Sequence, residues 1–240
     1  MSDFAGFPRA TRRFFADLGR NNNKPWFENN RPTYEAAVRT PMKALIEAFD
    51  VALAGVAPEF IGDPRRSMFR INRDIRFSKD KSPYKTNAGC WFYHRDAGRG
   101  VGQEADSGGA GFYFHVDAKE SFFAAGVWMP SRPALAKLRE ALVEDWETFA
   151  GIVKAPAFRR RFGDLDPSAR LTRVPRGFAP DHPAADWLRF QSFTVARALS
   201  ATEIAGPGLV RGMAEDAARL TPFVRWLNSA MGFEPARSRL

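Results

Sequence analysis

The hydrophobic residues of this 240-residue chain change their spacing twice. Over the first sixty residues they recur at helical intervals. Phe14, Phe15 and Leu18 form a short stripe that Gly19 and Asn21, Asn22 and Asn23 end. A short helix then carries Trp26 and Phe27, and Tyr34, Val38, Leu45, Ile46, Phe49 and Leu53 follow near a 3.6-residue period. Pro41 either kinks that run or opens a new helix with Thr40 as its cap. From Met68 the period becomes two. Phe69, Ile71, Ile75 and Phe77 alternate with Arg70, Asn72, Asp74 and Arg76, which predicts a half-buried strand. Asn87–His94, Gly111–Asp117 and Ser121–Met129 read as further strands. In the last, Phe123, Val127 and Met129 share one face and Phe122 and Trp128 the other, so it belongs inside a sheet. Arg95–Ala110 holds five glycines and reads as a mobile connection between antiparallel strands.

Past Pro130 the helical period returns. Ser131 can cap a helix and Pro133 fits its first turn, with Leu135, Leu138, Leu142 and Trp146 following. Phe190–Arg197 suggests a late strand. Leu209, Met213, Ala217, Leu220, Val224 and Leu227 define a long C-terminal helix, bent at Pro222. Helices, then consecutive strands, then helices predict an α+β fold, a central antiparallel sheet flanked by N-terminal and C-terminal helices. No linker composition interrupts residues 1–240, so one domain is expected.

Composition narrows the class further. With 45% apolar residues and 22 Phe, the chain has material for a sizeable core and does not resemble a disordered one. No stretch approaches the ~18–20 apolar residues of a membrane span. The N-terminus lacks the apolar segment of a secretory signal. A single cysteine, Cys90, excludes an internal disulfide and a multi-cysteine zinc site. These features together predict a cytoplasmic protein with no membrane partner.

The net charge of +9 is unevenly placed. Between Arg65 and Lys85 eight basic residues face only Asp74 and Asp80, a net +6, against +3 for the remainder of the chain. A local excess points to a site, where a uniform one would point to general polyanion attraction. Arg159, Arg160 and Arg161, ahead of Gly163, read instead as the cationic last turn of a helix.

Within the strand predicted from Met68, Arg70, Asn72, Asp74 and Arg76 share a face and can offer guanidinium forks to an anion. Arg73 breaks the pattern, because alternation places it with Ile71 and Ile75. An unpaired guanidinium there costs several kcal/mol. Either a bulge at Arg73–Asp74 turns it away or a carboxylate from another element meets it. The polar turn that follows surrounds the hydroxyls of Ser78, Ser82 and Tyr84 with Lys79, Lys81 and Lys85, and Pro83 holds Ser82 extended.

This stretch also carries a resemblance. Arg70, Arg73-Asp74, Arg76-Phe77, Asp80-Lys81 and Pro83-Tyr84 match nine positions over 15 residues of the signature of the mainly bacterial family labelled domain of unknown function 2461. Trp26-Phe27, Asn30-Arg31 and Tyr34-Glu35 are similar to the family's N-terminal part. Its members have about this length, so the resemblance covers essentially the whole chain. It implies a full-length folded domain and carries over no activity, cofactor or catalytic residue.

Other chemistry finds less support. His94, His115 and His182 include no HxxxH-type pair, so no metal site is expected. His115 and Asp117 could share a strand face, most simply as a satisfied pair within the sheet. Cys90, among Ala88, Trp91 and Phe92, reads as a core thiol that nothing activates. The glycines from Gly98 to Gly102 match neither a P-loop nor a dinucleotide fingerprint. There is no GxSxG elbow. Trp91, Phe92, Tyr93, Phe112 and Phe114 could stack bases but suit a core better.

Three readings follow. The first is a site for a phosphate- or carboxylate-bearing small molecule formed by Arg70, Arg73, Asp74, Arg76, Lys79, Asp80, Lys81, Tyr84 and Lys85. In it the two aspartates orient the bases or exchange protons, and any catalysis works by cations stabilising developing negative charge. The second is a nucleic-acid module that adds Arg65, Arg66 and Arg159–Arg161, without a helix-turn-helix, zinc-finger or RNP motif to support it. The third is a structural Arg/Asp lattice with function elsewhere. The sequence names no cofactor and does not decide whether the chain is an enzyme.

Overall fold

The computed structural model describes residues 4–76, 79–101 and 108–238. Phe77, Ser78, Gly102 and the middle of the glycine-rich connection lie outside the described residues. The N-terminal part folds as α1 (Ala10–Arg20), α2 (Lys24–Asn29) and α3 (Arg31–Tyr34). A π-helical turn over Glu35–Arg39 runs directly into α4 (Thr40–Ala54). Thr40 is therefore helical itself, not a cap. The wide turn ahead of Pro41 accommodates a residue that cannot donate to the preceding turn.

The sheet comprises β1 (Phe60–Ile61), β2 (Asn87–His94), β3 (Gly111–Asp117), β4 (Ser121–Val127) and β5 (Phe193–Ala198). Every neighbouring pair is antiparallel and the spatial order follows the chain. β4 is an interior strand, as its two apolar faces require. Between β4 and β5 the chain leaves the sheet through α5 (Arg132–Glu144), α6 (Trp146–Val153), α7 (Pro156–Phe162) and α8 (Ala185–Leu188). It returns after β5 as α9 (Ala201–Ala205) and α10 (Leu209–Met231). Ser131 occupies the cap position of α5 but its side chain accepts no bond there. Arg159, Arg160 and Arg161 do form the last turn of α7, closed by Gly163 at φ 74°. α10 continues through Pro222 and buries all six residues of its predicted stripe.

One sheet face is the core. Cys90, Phe92, Phe112, Phe114, Phe123 and Phe193 are all fully buried on it. Phe49 of α4 meets Phe92 edge-on at 4.7 Å between centroids, and Phe123 likewise at 5.6 Å. These contacts use the attraction between a positive ring edge and a negative ring face. The opposite face alternates with it and stays half-open. Tyr113, His115, Asp117, Phe122 and Ala124 are partly exposed, and Ala196 is fully so.

Ion pairs with buried carboxylates hold the last helix in place. Asp216 of α10 accepts Arg161 Nε at 2.7 Å and Arg197 Nε at 2.6 Å. Glu59, beside β1, accepts Arg225 through both oxygens at 2.6 and 3.1 Å. Among the described residues no helix is long and apolar enough to cross a membrane.

Candidate functional site

Of the regular strand expected from Met68 to Phe77, the described residues 68–76 form no continuous ladder. Two isolated antiparallel bridges replace it, Met68 with Cys90 and Asn72 with Tyr84. Four residues separate the bridges on one side and six on the other, so the ladder slips register between them. Short pairings survive at each bridge. Phe69 N donates to Gly89 O at 3.0 Å, Arg73 N to Pro83 O at 2.9 Å and Lys85 N to Ile71 O at 2.8 Å. The slip leaves Phe69 37% and Ile75 44% exposed, so the alternation does not become a buried face. The two extra residues lie on the Tyr84–Cys90 side of the ladder, not at Arg73–Asp74.

The N-terminal helices fix the second bridge. Asn22 grips the backbone of Tyr84 from both sides, its Nδ2 donating to Tyr84 O at 2.9 Å and its Oδ1 accepting Tyr84 N at 3.1 Å. The buried Tyr84 ring stacks on Phe27 at 4.1 Å. Tyr84 is therefore an anchor for the turn and not a group facing solvent. Burial raises the pKa of its phenol.

The carboxylate that Arg73 needs comes from the turn itself. Arg73 Nη2 lies 3.1 Å from Asp80 Oδ2 and donates to Tyr84 O at 3.4 Å, while its buried Nε has no partner. Asp74 sits between Arg76, whose Nε and Nη2 donate at 3.0 and 2.7 Å, and Arg70 at 3.6 Å. The bonds from Arg76 hold the Asp74 carboxyl well below the usual range. The Ser82 amide, then its hydroxyl, then Arg73 lower that of Asp80. These partners favour the ionised form of both aspartates. Lys81 Nζ donates to Ile75 O at 2.8 Å.

Lys85 differs from these. Its ammonium lies over the Phe69 ring at 5.6 Å and has no carboxylate partner among the described residues. Burial, then the nearby charges of Arg70 and Arg73, lower its pKa. Lys79 likewise has no ion pair among the described residues. The nine candidate residues thus gather into one ribbon of six cations and two anions, but along a surface. A cleft of about 230 Å³, lined by Trp91, Gly109, Trp128, Lys137 and Phe233 among others, includes none of them.

The ribbon adjoins the open sheet face. The Phe69 ring, beneath Lys85, lies 6.0 Å from Tyr113. The Tyr113 hydroxyl is 3.2 Å from His115 Nδ1, and His115 Nε2 is 3.5 Å from Asp117 Oδ2. His115 and Asp117 do share a strand face, as their spacing predicts. Tyr113 joins them because Gly89, cross-strand from His115, has no side chain: a Cβ at 89 would lie 2.7 Å from Tyr113 Cζ. Spacing within one strand could not reveal that neighbour. Phe92, Phe112 and Phe114 are fully buried, and Trp91 and Tyr93 nearly so, so these five side chains pack the interior of the fold. Cys90 is sealed in the core, where burial pushes its thiol pKa strongly upward.

An open antiparallel meander, packed by helices on one face and edged by a cationic ribbon, defines an α+β fold. The chain belongs to the family described as Conserved hypothetical protein (DUF2461), whose model matches residues 10–226. Among curated proteins nothing matches it.

Proposed function

We propose that the ribbon binds a small anionic ligand bearing a phosphate or carboxylate, with Lys85, Arg70 and Arg73 as its principal contacts. The observation that carries this reading is Lys85: a half-buried ammonium over the Phe69 ring, near the charges of Arg70 and Arg73, with no carboxylate partner among the described residues. Such a group is destabilised by its neighbours, and an incoming anion relieves the repulsion of all three. Arg73 Nε is a second unsatisfied donor in the same place. The bound aspartates set geometry. Asp74 spaces Arg70 from Arg76, and Asp80 holds Arg73 against the turn. The ribbon keeps a net charge of +4 after both are counted, enough to raise the local concentration of anions.

Titration calorimetry of wild type and Lys85→Ala against inorganic pyrophosphate and phosphorylated metabolites tests the reading. We expect wild type to bind and the variant to lose at least tenfold in affinity, about 1.4 kcal/mol. Equal binding by the two proteins, or none by either, refutes it. The ion pairs of Asp74 and Asp80 favour a second reading, in which the ribbon only ties the turn together. On that reading Asp74→Asn lowers the melting temperature and Lys85→Ala changes nothing measurable.

A further inference from the structure

We infer that His115, Asp117 and Glu120 form a binding site for one divalent transition-metal ion, of the zinc or cobalt type, at the β3–β4 turn. The inference is independent of the anion site. One donor atom from each of the three residues lies within 4.8 Å of the others. His115 Nε2 is buried and makes no well-formed hydrogen bond; its nearest polar neighbour is the Asp117 carboxylate. Its distance of 3.5 Å to Asp117 Oδ2 is at the outer limit of a hydrogen bond. It suits a shared ion: two donors each ~2.1 Å from a tetrahedral centre stand about 3.4 Å apart. Glu120 is exposed and has no partner among the described residues, so its carboxylate can swing in as the third ligand.

The surroundings are ordered as a metal site requires. The Asp117 amide donates to Glu120 O at 3.0 Å, and Asp117 Oδ1 accepts the amides of Lys119 and Glu120 at 2.6 and 2.7 Å. That leaves Asp117 Oδ2 facing the imidazole. Arg12 clamps the turn from outside, donating to the carbonyls of Ala118 and Lys119 at 2.9 and 2.8 Å. The imidazole is stacked on Phe122 at 4.6 Å, and its Nδ1 has the Tyr113 hydroxyl at 3.2 Å and the Asn87 side-chain amide at 3.5 Å as polar neighbours. Metal binding at Nε2 would require the tautomer in which Nδ1–H donates to the Tyr113 oxygen, a second-sphere contact usual for a ligating histidine. An imidazole donor selects zinc or cobalt over calcium and magnesium. Three protein donors leave at least one position open to water or a ligand.

The test is titration of untagged, chelator-stripped protein with Zn²⁺ by calorimetry and with Co²⁺ by visible absorption. We expect one ion per chain, a cobalt spectrum of low-coordinate type, and at least a tenfold loss of affinity in both His115→Ala and Glu120→Gln. Glu120 is exposed, so its variant folds whatever the fate of the histidine variant. Absence of uptake, or a smaller change in Glu120→Gln, overturns the assignment and leaves a plain histidine–aspartate pair.

Discussion

At the scale of single residues, local partners decide what each charge can do. Asp74 and Lys85 lie on the same ribbon and differ because one has its counter-charges and the other meets only cations. Glu203 shows how far such partners reach. It closes a capping box with Ser200 at the start of α9, and the Ser200 amide, with Arg197 next, lowers its pKa to about 2. A carboxylate depressed on folding stabilises the native state above its unfolded pKa, here 4.5, and loses that contribution as pH falls toward about 2. Melting temperatures followed across this window should decline less in Glu203→Gln than in wild type. Parallel curves would show that the box contributes nothing.

At the scale of elements, the ribbon is held by contacts distant in sequence. Asn22 supplies two hydrogen bonds to the Tyr84 backbone, and Phe27 supplies its stacking surface. At about 0.5–1.5 kcal/mol per bond, Asn22→Ala should cost about 1–3 kcal/mol. The loss should be local: exchange of the Tyr84 and Lys85 amides accelerates while those of β3 keep their protection. Uniform acceleration would mean that the ribbon unfolds only with the whole domain. The strand from Gly111 was legible because its burial alternates from Phe112 onward, and the one from Asn87 because nearly every residue in it is buried. Residues 68–77 alternate in sequence, yet among the described residues 68–76 only isolated bridges form. Pairing at an edge depends on register, and a slip between two bridges leaves no trace in composition. For the same reason the residues of the cationic site were visible as a group, while their pairings were not. Asp80 as the partner of Arg73, and Tyr113 beside His115, both arise from chain segments that meet only on folding.

At the scale of the whole molecule, α10 closes the fold by packing on α4 and β4 and by presenting cations and anions to buried partners. Glu59 and Arg225 join positions 166 residues apart. Arg225→Ala strands a fully buried carboxylate, so it should cost about 3–5 kcal/mol. Urea unfolding checks this: the midpoint should fall while the slope stays constant, since the same surface is exposed. An unchanged midpoint would show that the pair contributes nothing to stability. The same global frame sets the charge map, with the net excess collected on one edge of the sheet. Mass spectrometry of amine labelling across all eight lysines, with and without inorganic pyrophosphate, reads that map directly. The account predicts that Lys85, half-buried yet depressed in pKa, reacts readily in the free protein and is selectively protected by the anion, while Lys43 and Lys154 are unaffected. Protection that is absent, or equal at every lysine, would contradict it.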